Sequence, residues 1–311
     1  MRILIVGAGA IGGYFGARLA AAGRDVTFLV REKRAKVLRE RGLVVRSPLG
    51  GVTIEKPTLV EAGALKPDYD LAIVTCKAYD LPSVIADLKP GIGPRTAILP
   101  LLNGMAHLDA LDKAFGAEHV LGGQCVIAST LAEDGAIVHL NESQSVTFGE
   151  RDGAISPRVE AIKAEFADTK VPVTASQNIL QAMWGKWVFL ASLAASTCLM
   201  RAPTGAIVAA PGGADFLLAM AEECRAIAEG EGFGPGEEDI QRVRAMLTTP
   251  KSPLTASMLR DIVNGGKVEA DHVIGDLIAR GKARAPAVTR PNLAMAYMSL
   301  KAYEAAQAMK G

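Results

Sequence analysis

The sequence predicts an α/β fold in which a domain with a mostly parallel sheet is followed by an all-helical C-terminal domain. Up to about residue 171, short runs rich in Val, Ile and Leu alternate with helical segments. That alternation is typical of buried parallel strands joined by helical crossovers. From about Gln177 onward the segments are helical and are separated by Gly and Pro. We therefore expect one domain at residues 1–173 and a second at residues 174–311.

The first strand–helix–strand unit carries a glycine-rich turn. Residues 2–6 predict a buried strand, residues 13–22 a helix and residues 25–30 the next strand. The turn between them has the spacing of the Rossmann dinucleotide-binding fingerprint, in which the three glycines allow a tight turn, close approach of a pyrophosphate and close helix packing. The helix N-terminus offers N–H groups to the phosphates. The predicted cofactor contacts in this turn are Gly7, Ala8, Gly9, Ala10, Ile11 and Gly12.

The remaining elements follow from the same patterns. In the first domain we expect strands at 71–75 and 96–101, then three hairpin-like strands at 120–130, 136–140 and 145–148 that extend the sheet at one edge. In the second domain we expect helices at 177–200, 214–229, 237–246, 256–263, 268–279 and 290–309.

The residue that ends the second strand bears on the choice of cofactor. Sites for NAD usually place Asp or Glu here to bind the ribose hydroxyls, whereas this chain has Arg31. A guanidinium can pair with a 2′-phosphate, which favours NADPH. Glu32, one position later, leaves NADH open as the alternative.

Composition excludes several other classes of function. The net charge is +1, so nothing indicates a nucleic-acid partner. The four cysteines are scattered and show no metal-ligand spacing, which favours reduced thiols and a cytoplasmic protein without a metal site. The start of the chain does not resemble a signal peptide, and the longest uncharged apolar run, between Lys186 and Arg201, is too short to span a membrane.

Five segments together resemble the ketopantoate reductases (2-dehydropantoate 2-reductases), over nearly the whole chain. They are RILIVGAGAIG at 2–12, TCKAYD at 75–80, LNGM at 102–105, WGK at 184–186 and SMLRD at 257–261, which leads to Glu269. Each segment alone is modest evidence, but the order and spacing of the five together are specific to this family. The resemblance implies reduction of a 2-keto acid to a 2-hydroxy acid by NADPH, which the first domain holds. It also suggests that the helical domain forms a homodimer.

The resemblance also implies roles for individual residues. Lys186 matches the catalytic lysine that donates to the carbonyl oxygen, and Glu269 matches the carboxylate that works with it. Asn103 matches the asparagine beside the nicotinamide and substrate, Lys77 a lysine on the cofactor side, and Ser257 a contact to the substrate carboxylate. The residues alone agree on the chemistry, because hydride addition to a ketone leaves an alkoxide that needs a positioned acid or cation.

The chain departs from the family where substrate is bound. The family usually has asparagines one and two turns after the lysine, where this chain has Leu190 and Ala194, and often another where Leu254 stands. Thr197, further along the lysine helix, is a polar substrate-binding candidate. We therefore expect a substrate that is less polar than ketopantoate, or ketopantoate bound in a different way. Two alternatives stay open. One is a related dehydrogenase that oxidises a hydroxy acid or an amino-acid-like substrate, and the other is a non-catalytic NADP(H)-binding sensor.

Overall fold

The computed structural model describes residues 1–310, which form two compact units. The first unit comprises Met1–Leu102 and His107–Ile179, and the second comprises Asn103–Ala106 and the chain from Leu180 onward. The short segment Asn103–Ala106 therefore belongs with the helical unit although its neighbours in sequence belong to the first. The predicted fold class, a mostly parallel sheet with helices followed by a helical domain, is confirmed.

The first unit contains two five-stranded sheets. Its strands are β1 (Arg2–Val6), β2 (Asp25–Leu29), β3 (Leu43–Arg46), β4 (Val52–Ile54), β5 (Thr58–Val60), β6 (Leu71–Val74), β7 (Ala97–Pro100), β8 (Gly122–Leu131), β9 (Ile137–Gly149) and β10 (Val173–Ala175). The first sheet has the order β5-β2-β1-β6-β7 and is parallel throughout. This order matches the first five strands of the Rossmann order 3-2-1-4-5-6, in which the direction of the chain across the sheet reverses between β1 and β6.

The hairpin-like strands do not extend that sheet, contrary to our expectation. They form a second sheet, ordered β10-β9-β3-β4, in which β8 pairs antiparallel with β9. The two strands predicted at 136–140 and 145–148 are one strand, β9. Its pairing with β8 is irregular in the middle, because Ile127 lies opposite Gln144 and Ser129 opposite His139, which leaves residues 140–143 as a bulge. An isolated parallel bridge joins Ile98 of β7 to Val120, which lies just before β8.

Five helices cover the sheets of the first unit. They are α1 (Ala10–Ala21), α2 (Glu32–Arg41), α3 (Leu81–Leu88), α4 (Ala106–Phe115) and α5 (Pro157–Glu165). Helix α1 lies close to the first sheet because it carries small residues: a methyl group at Gly16 would lie 2.4 Å from the ring of Phe28. Its residues from Gly12 to Leu19 are all buried.

The second unit is helical in all its regular structure within residues 1–310. Its helices are α6 (Ile179–Met200), α7 (Thr204–Ala209), α8 (Gly213–Gly230), α9 (Glu237–Thr248), α10 (Ser257–Val263), α11 (Asp276–Arg284) and α12 (Pro291–Ala308), with a π-helical turn at Asp271–Gly275 before α11. In the described chain, α6 alone is long and apolar enough to cross a membrane by length and composition. Of the 18-residue stretch of α6 that meets this criterion, 67% is buried inside the structure, as in a helix at the core of a domain.

Candidate active site

The glycine-rich turn between β1 and α1 has a backbone that other residues would not permit. Gly7 has φ +96°, in the left-handed region, and its N–H donates to the Leu29 carbonyl at 3.0 Å. A methyl group at Gly12 would lie 2.1 Å from the Gly7 carbonyl oxygen and 2.3 Å from Oγ1 of Thr75. The turn and the start of α1 are therefore in backbone contact, which only glycine allows.

The second glycine of the turn, Gly9, lies against open space. A methyl group there would meet no atom within 4 Å. Gly9 is the N-cap of α1, no side chain caps this end, and the first turn of the helix has no acidic residue. The N–H groups of a helix N-terminus that lack a protein acceptor favour an anion. This geometry fits the pyrophosphate of a dinucleotide.

Arg31 follows β2 and is the N-cap of α2. Its Nη2 donates to Oδ1 of Asp80 at 3.0 Å and to Oγ of Ser83 at 3.1 Å, and its side chain is 61% exposed. The Arg31 guanidinium therefore lies at the carboxyl end of β2, where Asp80, just before α3, holds it on one side. An exposed guanidinium in this place suits a 2′-phosphate.

Arg34 supports the turn from the side, a role that sequence reasoning missed. Its Nε donates to the Ala8 carbonyl at 2.9 Å and its Nη1 to the Gly135 carbonyl at 2.9 Å. Burial lowers the pKa of its guanidinium. One contact joins residues 26 positions apart and the other 101. No local pattern in the sequence could have indicated them.

Lys77 lies at the same edge of the sheet as the glycine-rich turn. Strands β1 and β6 pair with Val6 opposite Val74, so the chain that leaves β6 begins beside Gly7. The Thr75 hydroxyl fixes this start by donating to the Val6 carbonyl at 3.0 Å. Lys77 is partly buried and is followed by a 3-10 turn at Ala78–Asp80, which places it at the edge where open α/β sheets bind ligands.

Lys186 and Asn103 meet in the second unit. The Nζ of Lys186, on α6, donates to Oδ1 of Asn103 at 3.2 Å, and both residues are partly buried. They are 83 positions apart in sequence. The contact arises because the segment Asn103–Ala106 belongs to this unit. The structure thus brings together the predicted catalytic lysine and the predicted asparagine.

Glu269 and His272 lie at the π-helical turn that precedes α11. Glu269 is only 9% exposed, and its carbonyl accepts from the Val273 N–H at 2.9 Å. Burial lowers the pKa of His272, whereas the carboxylates of Glu269 and Asp276 and a hydrogen bond to the backbone of Asn103 raise it, and Arg280 lowers it further. A methyl group at Gly104 would lie 3.1 Å from Cδ2 of His272, so His272 lies beside the turn that carries Asn103.

The two remaining candidates for substrate binding, Ser257 and Thr197, differ in burial. Ser257 is the first residue of α10 and is partly buried. Thr197 is completely buried, and its hydroxyl donates to the Leu193 carbonyl at 2.7 Å and accepts from the Ala256 N–H at 3.4 Å. This geometry favours a role for Thr197 in anchoring the start of α10, next to Ser257, over direct contact with substrate.

The three apolar residues at the positions that depart from the family pattern are partly or fully buried. Leu190 is partly buried and Ala194 is buried, both on α6 beyond Lys186. Leu254 is partly buried before α10, and its carbonyl accepts from the Thr204 N–H at 3.0 Å.

Family models match most of the chain. The model described as "Ketopantoate reductase PanE/ApbA" matches residues 3–153, and "Ketopantoate reductase PanE/ApbA C terminal" matches residues 178–304. The chain belongs to the ketopantoate reductase family. Members of this family are oxidoreductases that act on the CH–OH/C=O couple, and this protein is an oxidoreductase of the same kind.

Relatives of known name agree with this assignment. The chain is 38% identical over 305 residues to "Uncharacterized oxidoreductase YkpB" of Bacillus subtilis, covering 98% of this chain and 99% of that protein. It is 27% identical to a 2-dehydropantoate 2-reductase of Halobacterium salinarum, covering 91% and 92% of the two chains. The 2-dehydropantoate 2-reductase structure from Methylococcus capsulatus superposes with a TM-score of 0.86 at 26% identity, covering 99% and 98%.

A further solved structure shares the fold. It is a D-mandelate dehydrogenase with NADH and anilino(oxo)acetate, with a TM-score of 0.86 at 22% identity, covering 99% of this chain and 100% of that chain. One structure with this fold thus contains a bound nicotinamide cofactor, NADH.

Proposed function

We propose that this protein uses NADPH to reduce a 2-keto acid to a 2-hydroxy acid. The observation that carries the proposal is the contact between Nζ of Lys186 and Oδ1 of Asn103 at 3.2 Å. An ammonium has three N–H donors, and Asn103 fixes the direction of one of them. The lysine is thereby oriented before substrate binds, which is what stabilisation of a developing charge requires.

The residues of this chain account for the events around the ketone. As hydride adds to the carbonyl carbon, negative charge develops on the oxygen, and Lys186 donates a hydrogen bond and then a proton to it. Glu269 is the carboxylate that works with the lysine, and Ser257 contacts the substrate carboxylate. The role of each of these residues is part of the proposal.

The cofactor fits the first unit. Open space beside Gly9 and the uncapped N-terminus of α1 suit the pyrophosphate, and the exposed guanidinium of Arg31 suits the 2′-phosphate. Lys77 lies at the same edge of the sheet. Bound NADPH supplies the hydride. Because Arg31 stands where NAD sites carry an acidic residue, we favour NADPH over NADH.

The substrate is either ketopantoate, which would place the reaction in pantothenate biosynthesis, or a less polar 2-keto acid. The second candidate is favoured by Leu190 and Ala194, because a wall without amides leaves a substrate hydroxyl unpaired. A fold neighbour named D-mandelate dehydrogenase, whose substrate carries an apolar ring, is consistent with such a pocket. We also propose that the protein is cytoplasmic, forms a homodimer and has no membrane or nucleic-acid partner.

The test is NADPH oxidation with a panel of ketopantoate, a branched aliphatic 2-keto acid and phenylglyoxylate. We expect turnover of at least one of them, and a loss of about 10²- to 10³-fold in kcat for Lys186→Ala, because a donor to the developing alkoxide is lost. Lys251→Ala, at an exposed lysine of the same unit, is the matched control and should behave as wild type.

Two outcomes decide between the candidates. If the pocket is apolar, phenylglyoxylate or the aliphatic acid is turned over faster than ketopantoate, and Leu190→Asn shifts the preference toward ketopantoate. Tight NADPH binding without turnover of any 2-keto acid would overturn the proposal and favour a sensor.

A further inference from the structure

The π-helical turn at Asp271–Gly275 is held in place from two sides. From α6, Nε1 of Trp187 donates to the Val273 carbonyl at 2.9 Å. From α12, the Tyr297 hydroxyl and Nζ of Lys301 donate to the carboxylate of Asp271 at 2.6 and 3.0 Å. Single π-turns inside helices occur often at functional sites, because they redirect one or two side chains. The side chain between these anchors is that of His272.

His272 packs directly against the turn that carries Asn103. Its ring hydrogen-bonds the backbone of Asn103, and the Asn103 carbonyl is the acceptor because the bond favours the protonated ring. Gly104 follows with φ +76°, and a methyl group there would lie 2.9 Å from the His272 carbonyl oxygen and 3.1 Å from Cδ2 of its ring. The backbone at Asn103–Gly104 therefore lies against His272 with no space to spare.

We infer that His272 is a positioning residue that holds the Asn103 turn so that Oδ1 of Asn103 meets Nζ of Lys186. The inference rests on the proposed function for its catalytic consequence. The order of contacts is a chain: the π-turn fixes His272, His272 fixes the backbone of Asn103, and the Asn103 side chain directs the ammonium. His272 itself donates to a protein carbonyl, so its role is exerted through Asn103.

The chain offers variants that separate this role from packing alone. His272→Phe keeps a ring of similar size but removes the N–H donor, whereas His272→Gln retains a donor. A matched control is His119→Phe in the first unit. His119 is also partly buried and also bonds a backbone carbonyl, with Nδ1 at 2.8 Å from the oxygen of Thr96.

The functional measurement is steady-state reduction of the best 2-keto acid. A small displacement of a catalytic group costs up to about 100-fold in rate, so we expect His272→Phe to lower kcat by about 10- to 100-fold and His272→Gln to restore most of it. NADPH affinity and thermal unfolding should stay close to those of His119→Phe. In an Asn103→Ala background, His272→Phe should have little further effect on kcat, because the two residues act through one contact.

Hydrogen exchange tests the contact without any turnover. His272→Phe should speed exchange of the amides at 103–106 relative to the wild type, while His119→Phe should leave their exchange rates unchanged. If the wild type reduces no 2-keto acid, the proposed function fails, and exchange alone decides whether His272 holds the turn. Unchanged exchange in His272→Phe overturns the inference. If the wild type is active and His272→Phe leaves its kcat unchanged, the inference is also overturned. The same holds if His272→Phe lowers kcat by the same factor in the Asn103→Ala background as in the wild type.

Discussion

Substitution of Gly9 by alanine separates cofactor binding from folding. The backbone of Gly9 has φ −83° and ψ −161°, which alanine adopts without strain, and its added methyl group would meet no atom within 4 Å. The lower entropy of the unfolded chain contributes about 0.4–1 kcal/mol in favour of Gly9→Ala. Loss of a good N-cap residue costs a similar amount, up to about 1 kcal/mol. The free energy of unfolding should therefore change by less than about 1 kcal/mol.

The same methyl group occupies the space through which we expect the pyrophosphate to approach the backbone. We expect the affinity for NADPH to fall at least about tenfold, which corresponds to about 1.4 kcal/mol. Gly12→Ala is the contrasting variant. Its methyl group would lie 2.1 Å from the Gly7 carbonyl oxygen, so it should destabilise the fold itself by about 1–3 kcal/mol or more.

Two measurements on each purified variant check this contrast. Chemical denaturation gives the free energy of unfolding without ligand, and titration of NADPH fluorescence gives the dissociation constant. If Gly9→Ala binds NADPH as tightly as the wild type, the pyrophosphate does not approach this turn and our assignment of the cofactor site is wrong. If Gly9→Ala is as unstable as Gly12→Ala, the space beside Gly9 is not open in solution.

Three further predictions concern single contacts. Arg31→Ala should weaken NADPH binding about tenfold or more but leave NADH binding unchanged in fluorescence titrations, whereas Arg39→Ala, an equally exposed arginine of α2, should affect neither. The pKa of Glu150 is held below its usual range by Arg158, so the folded state takes up protons less readily than the unfolded state. Its stabilising contribution is present above the usual carboxyl pKa and is lost as pH falls through the lowered value. Denaturation at about pH 7 and about pH 4 should show a smaller acid loss of stability in Glu150→Gln, and an equal loss would refute the assignment. Thr197→Val should lower the free energy of unfolding by about 1 kcal/mol, because two hydrogen bonds of a buried hydroxyl are lost; a neutral effect in denaturation would remove Thr197 as an anchor of α10.

The parts of the fold that depend on local patterns were predicted well. The first strand–turn–helix–strand unit is present as expected, with β1 at Arg2–Val6 and β2 at Asp25–Leu29. Five of the predicted helices of the second unit agree with α6, α8, α9, α10 and α12 within two residues, because Gly and Pro mark their ends. The short helix α7 was not predicted, and the helix expected at 268–279 is instead the π-turn at Asp271–Gly275 followed by α11, which ends at Arg284. The second sheet was not predicted. Its strands β3 and β4 are short, and β3 pairs with β9 about 90 residues away, a partner that no local pattern reveals.

In the candidate site, too, residues within recognisable sequence segments were predicted, whereas contacts between residues distant in sequence were not. Lys186 and Asn103 were predicted from family segments, and the structure places them in contact. Arg34 and His272 were not predicted as supports, since each acts on a backbone carbonyl that is distant in sequence. Thr197 was chosen because it is polar and lies on the lysine helix, but a hydroxyl inside a helix can bond its own backbone, as this one does.

The most direct test of the proposed function follows the hydride itself. Wild-type protein would be incubated with NADPH in which both hydrogens at C4 of the nicotinamide are deuterium and with each 2-keto acid of the panel, and the products analysed by mass spectrometry. We predict a 2-hydroxy acid with one deuterium at C2, formed from one face of the ketone, and at a rate that falls about 10²-fold or more in Lys186→Ala. Absence of deuterium from every product, in a protein shown to bind NADPH, would contradict the account.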